Sequence, residues 1–326
     1  MMYRDLIHLE YVIQSGTLNS LPDHVIYFYI KPWLEPPTNH LWELLKRNPD
    51  KPWNWYYLSA NPNVTWEIIQ NNPNRDRWYW PWLSKNPNIT WEIIQNNLDK
   101  PWDWQELSRN PNITWEIVQN NPDKPWSWWG LSLNPNITWE IVQNNPDTDR
   151  NPDDQWDWWG LSSNPIITWE IVQNNPDTGK FRWNWYELST NPSITWEIIQ
   201  NNPDSDRGSD DQWDWWGLSG NPNITWEIVQ NNLDKPWNWK VLSMNPNITW
   251  EIVQNNPSNL WSWRGLSRNP NITWEIIQNN LDKPWNWRYV SQNPNITWEI
   301  VQNNPDTGFF RWDWDRLSRN TFQHHK

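Results

Sequence analysis

One motif of 24 residues, NPNITWEIVQNNPDKPWNWxxLSx, recurs eleven times along this chain of 326 residues, and each copy carries three tryptophans. A repeat of this length is one supersecondary unit that cannot bury its own apolar face, so successive copies must stack on one another. We therefore expect an extended array whose stability is shared between neighbouring repeats, rather than a globe with one central pocket. Such an array favours a binding or structural role.

Two signatures set the register of the repeats. The first is a Trp that follows Thr, from Trp66 to Trp298, with a degenerate copy at Trp42. The second is Trp-x-Trp followed by Leu or Val and then Ser, from Trp53 to Trp314. The copies differ in length only after the AsnAsn pair, so one edge of the stack tolerates insertions and the other is fixed. The expected organisation is an N-terminal helical cap at 1–37, a tandem repeat solenoid at 38–319 and a C-terminal tail at 320–326.

The capping and helix-start residues in each copy of the repeat predict two short helices. Thr65 has the character of a helix N-cap, Trp66 takes the first helical position, and Glu67 complements the positive end of the helix dipole. The second half repeats the pattern with Asn54 as the cap and Trp55 at the first position. The sequence thus predicts an all-α fold, an α-solenoid of about eleven helical hairpins.

A β-hairpin repeat array is the alternative. Ile89, Trp91 and Ile93 alternate with polar residues, and these residue types suit a pleated sheet. A β array would leave Leu107 and Ser108 outside the alternation, whereas caps recur coherently in both halves of the repeat. The helical interpretation is therefore preferred.

Composition excludes several classes of protein. The chain has no cysteine, which rules out disulfides, thiolate zinc sites and cysteine nucleophiles. Its formal net charge is −13, and its Lys and Arg residues are scattered along the sequence, so nucleic-acid binding is not expected. There is no apolar run long enough to cross a membrane and no signal-peptide pattern at the N-terminus, so we expect no membrane association and no secretion.

No catalytic, cofactor or metal site is predicted. The row of glutamates from Glu67 to Glu299 is interpreted as helix-start residues, and the recurrent AsnIleThr triplets as helix caps rather than glycosylation acceptors. Two insertions, 147–154 and 204–211, are rich in Asp, but neither has the closing bidentate Glu of a calcium loop and one has Pro152 at the turn. Solvated acidic loops are the preferred interpretation.

Three positions in the second half of each repeat differ in residue type between copies. They are the two residues before LeuSer and the one residue after it. In repeat proteins such positions can recognise a partner, while the alternative is drift of a solvated face. The predicted partner-binding face consists of Tyr56, Tyr57, Gln105, Glu106, Trp129, Trp159, Tyr186, Trp216, Lys240, Arg264, Arg288 and Asp315.

A resemblance extends over most of the chain from about residue 48. Segments such as Asn88 to Asn97, NITWEIIQNN, and Trp102 to Ser108, WDWQELS, resemble the tryptophan-rich tandem repeats of proteins encoded by giant DNA viruses of amoebae. The resemblance implies a viral origin and a place in the host cytoplasm or the virion. That group has no established activity, so no functional residue is transferred. Leu21, Pro22, Val25 and Ile26 also resemble the start of an F-box, but a simple solenoid cap is the preferred interpretation.

We expect a non-enzymatic repeat scaffold that mediates protein–protein interaction during infection, with a host or viral protein as its partner. A structural component of the virion or viral factory, with self-association of the array, is the second possibility. A carbohydrate-binding module is the third, because exposed aromatic side chains also stack on sugar rings.

Overall fold

The computed structural model describes residues 39–72, 77–146, 155–176, 182–203, 212–306 and 310–322. Two compact units are present, 1–47 and 48–326. The expected N-terminal cap at 1–37, its F-box-like segment and the acidic insertions at 147–154 and 204–211 lie outside the described residues. Within the described ranges every regular element is a helix and none is a strand, which confirms the α-solenoid and excludes the β-hairpin array. None of these helices has the length and apolar character needed to cross a membrane.

Each repeat contributes a first helix that begins at the Trp after Thr and a second helix that begins at the second Trp of Trp-x-Trp. The unit 1–47 contains α1 (His40–Arg47). The first helices of the unit 48–326 are α3 (Trp66–Asn71), α5 (Trp91–Gln95), α7 (Trp115–Asn120), α9 (Trp139–Asn144), α11 (Trp169–Asn174), α13 (Trp196–Asn201), α15 (Trp226–Asn231), α17 (Trp250–Asn255), α19 (Trp274–Asn279) and α21 (Trp298–Asn303). The second helices are α2 (Trp55–Ala60), α4 (Trp80–Ser84), α6 (Trp104–Ser108), α8 (Trp128–Ser132), α10 (Trp158–Ser163), α12 (Trp185–Thr190), α14 (Trp215–Gly220), α16 (Trp239–Leu242), α18 (Trp263–Leu266), α20 (Trp287–Val290) and α22 (Trp314–Leu317). We number the repeats 1 to 11 by their second helices.

The helices begin where capping side chains satisfy their free N–H groups. Thr90 precedes α5, and its hydroxyl oxygen accepts a hydrogen bond from the backbone N–H of Ile93. Asp103 precedes α6, and its carboxylate accepts from the backbone N–H of Glu106. Thr caps every first helix of the unit 48–326 in this way, and Asn, Asp or Ser caps most second helices. The predicted caps are therefore confirmed, and they explain how helices of only four to six residues are fixed in place.

One recurring hydrogen bond joins the two ends of the connection between the first and second helices, including the connections that carry insertions. The indole N–H of Trp126 donates to the carbonyl of Asn121 at 2.8 Å across a short connection. Trp156 donates to Asn145 at the same distance across a connection that is six residues longer. Because this bond joins the two ends of the connection, the intervening length does not affect how the helices pack, which explains why one edge of the repeat tolerates insertions.

Neighbouring repeats are joined by buried Ser and Asn side chains, at contacts that we call seams. Ser108 is fully buried; its hydroxyl donates to the carbonyl of Trp104 at 2.7 Å and accepts from the backbone N–H of Ser127 in the next repeat at 2.9 Å. The Asn134 amide donates to the carbonyls of Ser108, Asn110 and Ile113 in the preceding repeat, at 2.8, 3.1 and 3.0 Å. These bonds satisfy backbone groups that packing has removed from water.

Tryptophan pairs fill the space beside each seam. The rings of Trp104 and Trp126 lie 5.1 Å apart at 82°, an edge-to-face pair between successive repeats. Trp115 of the intervening first helix adds a contact to Trp128 and to Trp156 of the following repeat. Edge-to-face geometry suits the aromatic quadrupole, so these pairs stabilise the seam beyond the area they bury.

The last repeat packs against the first with the same seam. The backbone N–H of Asn54 donates to the Ser318 hydroxyl at 2.9 Å, and the Asn61 amide donates to the carbonyls of Ser318 and Asn320 at 3.1 and 3.0 Å. Trp53 and Trp314 form the edge-to-face pair, at 5.0 Å and 78°. The unit 48–326 is therefore a closed ring of eleven second helices, whereas the repeat pattern alone predicted a stack with two free ends.

The second helices form the inner row of this ring. In the described part of the chain, all the extensive contacts between helices join second helices of successive repeats. In a closed ring the elements that lie closest to their neighbours are those nearest the axis. Eleven helices about 9 Å apart place their axes on a circle of about 16 Å radius. The first helices, with their exposed glutamates, consequently form the outer row.

Candidate functional site

The three variable positions of each second helix face different surroundings. Successive helix residues are about 100° apart, so the first and third variable positions point about 160° away from the buried Leu, and the second points about 100° from it. We call them the exposed, seam and trailing positions. In repeat 4 they are Trp129, Gly130 and Leu133, of which Gly130 is buried and the other two are partly exposed.

The seam position lies against the preceding repeat. A Cβ atom on Gly130 would lie 2.5 Å from the carbonyl oxygen of Gln105 and 2.7 Å from the Cβ of Ser108. On Gly265 it would lie 2.7 Å from the Cβ of Ser243. Glycine at these repeats is therefore required by the close approach of two helices.

The predicted face accordingly divides into two groups. Ten of its residues occupy exposed positions and line the inner row: Tyr56, Gln105, Trp129, Trp159, Tyr186, Trp216, Lys240, Arg264, Arg288 and Asp315. The remaining two, Tyr57 and Glu106, occupy seam positions and are half-buried. The trailing position was identified as variable, but the predicted face did not include the trailing residues Lys85, Arg109, Arg268 and Arg319, which lie on the same side of the helices as the exposed positions. Their place four residues after the exposed position is the signal that identifies them.

Four consecutive repeats present aromatic side chains at the exposed position. This aromatic arc consists of Trp129, Trp159, Tyr186 and Trp216, in repeats 4 to 7. Trp159 and Trp216 are 43% and 47% exposed, which is high for indole rings. The rings of Tyr186 and Trp216 stack at 5.5 Å and 26°. Large aromatic surface left in water at adjacent, equivalent positions is characteristic of a binding surface.

The next four repeats present cations on the same row. This basic arc consists of the exposed-position residues Lys240, Arg264 and Arg288 and the trailing residues Arg268 and Arg319, with Asp315 at the exposed position of repeat 11. Several are held by neighbours: Arg288 lies 3.7 Å from the carboxylate of Asp313, and the Arg319 guanidinium lies 3.4 Å from the ring centre of Tyr57 across the closing seam. Lys240 and Arg268 have no ion pair among the described residues. Tertiary structure thus gathers cations that are scattered in the sequence onto one arc.

Repeats 1 to 3 carry a mixed network on this row. Tyr56 packs 4.4 Å from Trp82, and the Lys85 ammonium lies 3.4 Å from the ring centre of Trp82. The seam residue Glu106 lies 3.7 Å from both Lys85 and Arg109. Burial lowers the pKa of Lys85, and the Arg109 charge adds to that effect, while Glu106 opposes it. The ionic groups in this arc are therefore already paired.

Glu187 is the second carboxylate at a seam position, and sequence reasoning missed it. Glu187 is only 8% exposed as a residue, and burial raises the pKa of its carboxyl group. The carboxylate makes no hydrogen bond or ion pair with any residue that the structure describes. The available signal was its equivalence to Glu106 in a repeat whose trailing residues lack Lys and Arg.

The outer row offers no comparable arrangement. The glutamates of the first helices, such as Glu92 and Glu116, lie in the first turn and are exposed, as expected of helix-start residues. The AsnIleThr asparagines are seam residues: Asn112 donates to the carbonyls of Pro87 and Ile89. A cleft of about 450 Å³ lies beside Trp250, Trp261 and Trp263. Within the described ranges, no group of three or more His, Asp or Glu side chains is placed to hold a metal ion.

Comparison of the chain with protein-family models, with curated proteins and with solved structures found no match.

Proposed function

We propose that this protein is a non-enzymatic ring scaffold that binds a segment of a partner polypeptide along its inner row. The observation that carries the proposal is the chemical difference between equivalent positions of nearly identical repeats. The exposed position is aromatic through repeats 4 to 7 and cationic through repeats 8 to 10, while the Ser and Asn of every seam are constant. Diversity confined to one concave row is typical of recognition by repeat proteins.

The arrangement favours a polypeptide over the other ligand classes. A polysaccharide presents one kind of surface along its length, and a nucleic acid presents phosphates throughout, whereas this row offers an aromatic arc, a basic arc and a mixed network of aromatic and paired ionic groups. A polypeptide carries apolar, acidic and basic side chains in a chosen order and is the ligand that such a row suits. From the resemblance of the repeats, we propose that the partner is a host or viral protein met during infection.

A peptide-selection experiment tests the proposal. Random peptides displayed on phage are selected against the wild-type ring and against a variant with Trp159, Tyr186 and Trp216 changed to Ala. The matched control changes Glu92 and Glu116 of the outer row to Ala. We expect the selected peptides to bind the wild type and the outer-row control and to lose at least about tenfold in affinity for the inner-row variant, since hot-spot aromatics dominate such interfaces.

Circular dichroism confirms that each variant is folded before binding is compared. Peptides that bind the inner-row variant as tightly as the wild type would refute the proposal. The structural role would be favoured if no peptide is selected and analytical ultracentrifugation shows that the rings associate with one another. In that case the inner-row variant should self-associate to the same extent as the wild type.

A further inference from the structure

The carboxylate of Glu187 lacks the partners that its counterpart has. In repeat 3, the trailing residues on the two sides of Glu106 are Lys85 and Arg109, each 3.7 Å from its carboxylate. In repeat 6 the corresponding residues are Ser163 and Thr190. The same scaffold thus provides two cations to one seam carboxylate and none to the other.

The two hydroxyl groups beside Glu187 do not replace those cations. The Ser163 hydroxyl donates to the carbonyl of Gly160 at 2.9 Å, and the Thr190 hydroxyl donates to the backbone carbonyl of Glu187 at 2.9 Å. Each hydroxyl has one proton, so neither can donate to the carboxylate. Glu187 as a residue is 8% exposed, and a carboxylate in such surroundings without a donor is costly, so its unfilled acceptor sites mark a place for a donor from outside the chain.

The exposed side chains on the helix of Glu187 and on its two neighbouring second helices suit a cation. Trp159 of the preceding repeat, Tyr186 of the same helix and Trp216 of the following repeat are all exposed members of the aromatic arc. Burial raises the pKa of the Tyr186 hydroxyl, with the charges of Glu187 and Asp214 adding to the shift. Aromatic faces attract ammonium and guanidinium groups, most strongly where water is displaced.

We propose that Glu187, Trp159, Tyr186 and Trp216 form a site for a cationic side chain, Lys or Arg, of the polypeptide that lies on the inner row. The carboxylate neutralises the charge, and the rings hold the methylene stem and the cationic head. This inference rests on the proposed function and adds to it the chemistry of one partner residue. The basic arc that follows, with Lys240 and Arg268 unpaired, suits acidic residues farther along the same segment.

The test uses three labelled peptides on the full chain: one of alternating Gly and Lys, and the same peptide with Gln or with Glu in place of Lys. Fluorescence anisotropy measures their affinity for the wild type, for Glu187→Gln and for Ser163→Lys. The last variant places a lysine in the register of Lys85, where it supplies the missing cation from within the ring. Glu170→Gln, at an exposed residue of the nearby outer row, is the control for the change in net charge.

We expect the wild type to bind the Lys peptide at least about tenfold more tightly than the Gln peptide, since a hydrogen bond between two charged groups is stronger than one to a neutral amide. Glu187→Gln and Ser163→Lys should each abolish this preference, and Glu170→Gln should keep it. A preference for Lys that survives in folded Glu187→Gln, or none in the wild type, overturns the inference. Binding of the Gln or Glu peptide alone overturns the cation site and leaves the proposed function standing, whereas binding of no peptide overturns both.

Discussion

Ring closure can be tested by comparing the same substitution at the closing seam and at an internal seam. Asn134 occupies an internal seam and Asn61 the closing seam, and both are buried. Replacing either with Ala removes an amide that holds the backbone of the preceding repeat. If the ring is closed in solution, the two substitutions have comparable costs.

The expected magnitudes follow from the bonds that each substitution removes. The Asn134 amide shares its two N–H protons among three carbonyl groups, and its oxygen accepts a hydrogen bond from the backbone N–H of Asn136 at 2.8 Å. Asn61 donates two hydrogen bonds across the closing seam and accepts one from the backbone N–H of Asn63 at 3.0 Å. At about 1 kcal/mol for each of two donated protons and one accepted bond, Asn134→Ala and Asn61→Ala should each cost about 3 kcal/mol. In an open array only the local bond to Asn63 would remain, and Asn61→Ala would cost about 1 kcal/mol.

Urea unfolding monitored by far-ultraviolet circular dichroism measures these costs, provided that the m-value, the slope of the unfolding free energy against urea concentration, is the same for all variants. Asn120→Ala is the matched control, because Asn120 is exposed at the end of α7 and its loss should change the free energy of unfolding by less than about 0.5 kcal/mol. A cost for Asn61→Ala near 1 kcal/mol, alongside about 3 kcal/mol for Asn134→Ala, would show that the ends do not meet. A cost for Asn134→Ala no larger than the control would refute the account of the seam itself.

Three further perturbations probe other parts of the ring. Gly130→Ala should destabilise the fold by about 1–3 kcal/mol in urea unfolding, because the new methyl group meets the backbone of the preceding repeat. Gly220→Ala should be close to neutral in the same measurement, since only a methyl group of a valine side chain must move. Replacing residues 146–155 with the shorter connection 122–125 should leave the free energy of unfolding unchanged or raise it by less than about 1 kcal/mol. A loss of several kcal/mol would contradict the conclusion that the Trp-to-Asn hydrogen bond makes helix packing independent of the length of the connection. Burial raises the pKa of the Glu187 carboxyl, so the folded state holds this proton more tightly than the unfolded state and stability falls as pH rises through the raised pKa. Glu187→Gln should therefore raise the unfolding midpoint more at neutral pH than below the ordinary carboxyl pKa, and an equal shift at both would refute this.

Local features of the fold could be predicted because the interactions that fix them are local. The Thr90 hydroxyl caps α5 through a backbone N–H only three residues away, so the helix start is encoded within one short window. The same holds for Asp103 and α6. The tolerance of one edge for insertions was also visible in the sequence, although its cause, the hydrogen bond from Trp156 to Asn145, was not.

The candidate site could be predicted only in part. Variation along the second helices identified Trp159 and Trp216 as surface residues, and both are exposed. Which of three variable positions enters a seam depends on the rotation of each helix against its neighbour, so the burial of Gly130 and Glu187 was not evident. The unpaired state of Glu187 required knowing that the trailing residues of two repeats flank each seam carboxylate.

The repeat, the helices and their caps follow from the amino-acid sequence, because each depends on residues a few positions apart. The closure of the array and the side chains on its inner row instead depend on how the repeats pack against one another. Closure over eleven repeats requires a turn of about 33° from each repeat to the next, and that angle is set by how Trp pairs and Asn amides pack across a seam. A small change in this packing, summed over all the repeats, would give an open superhelix from an almost identical sequence.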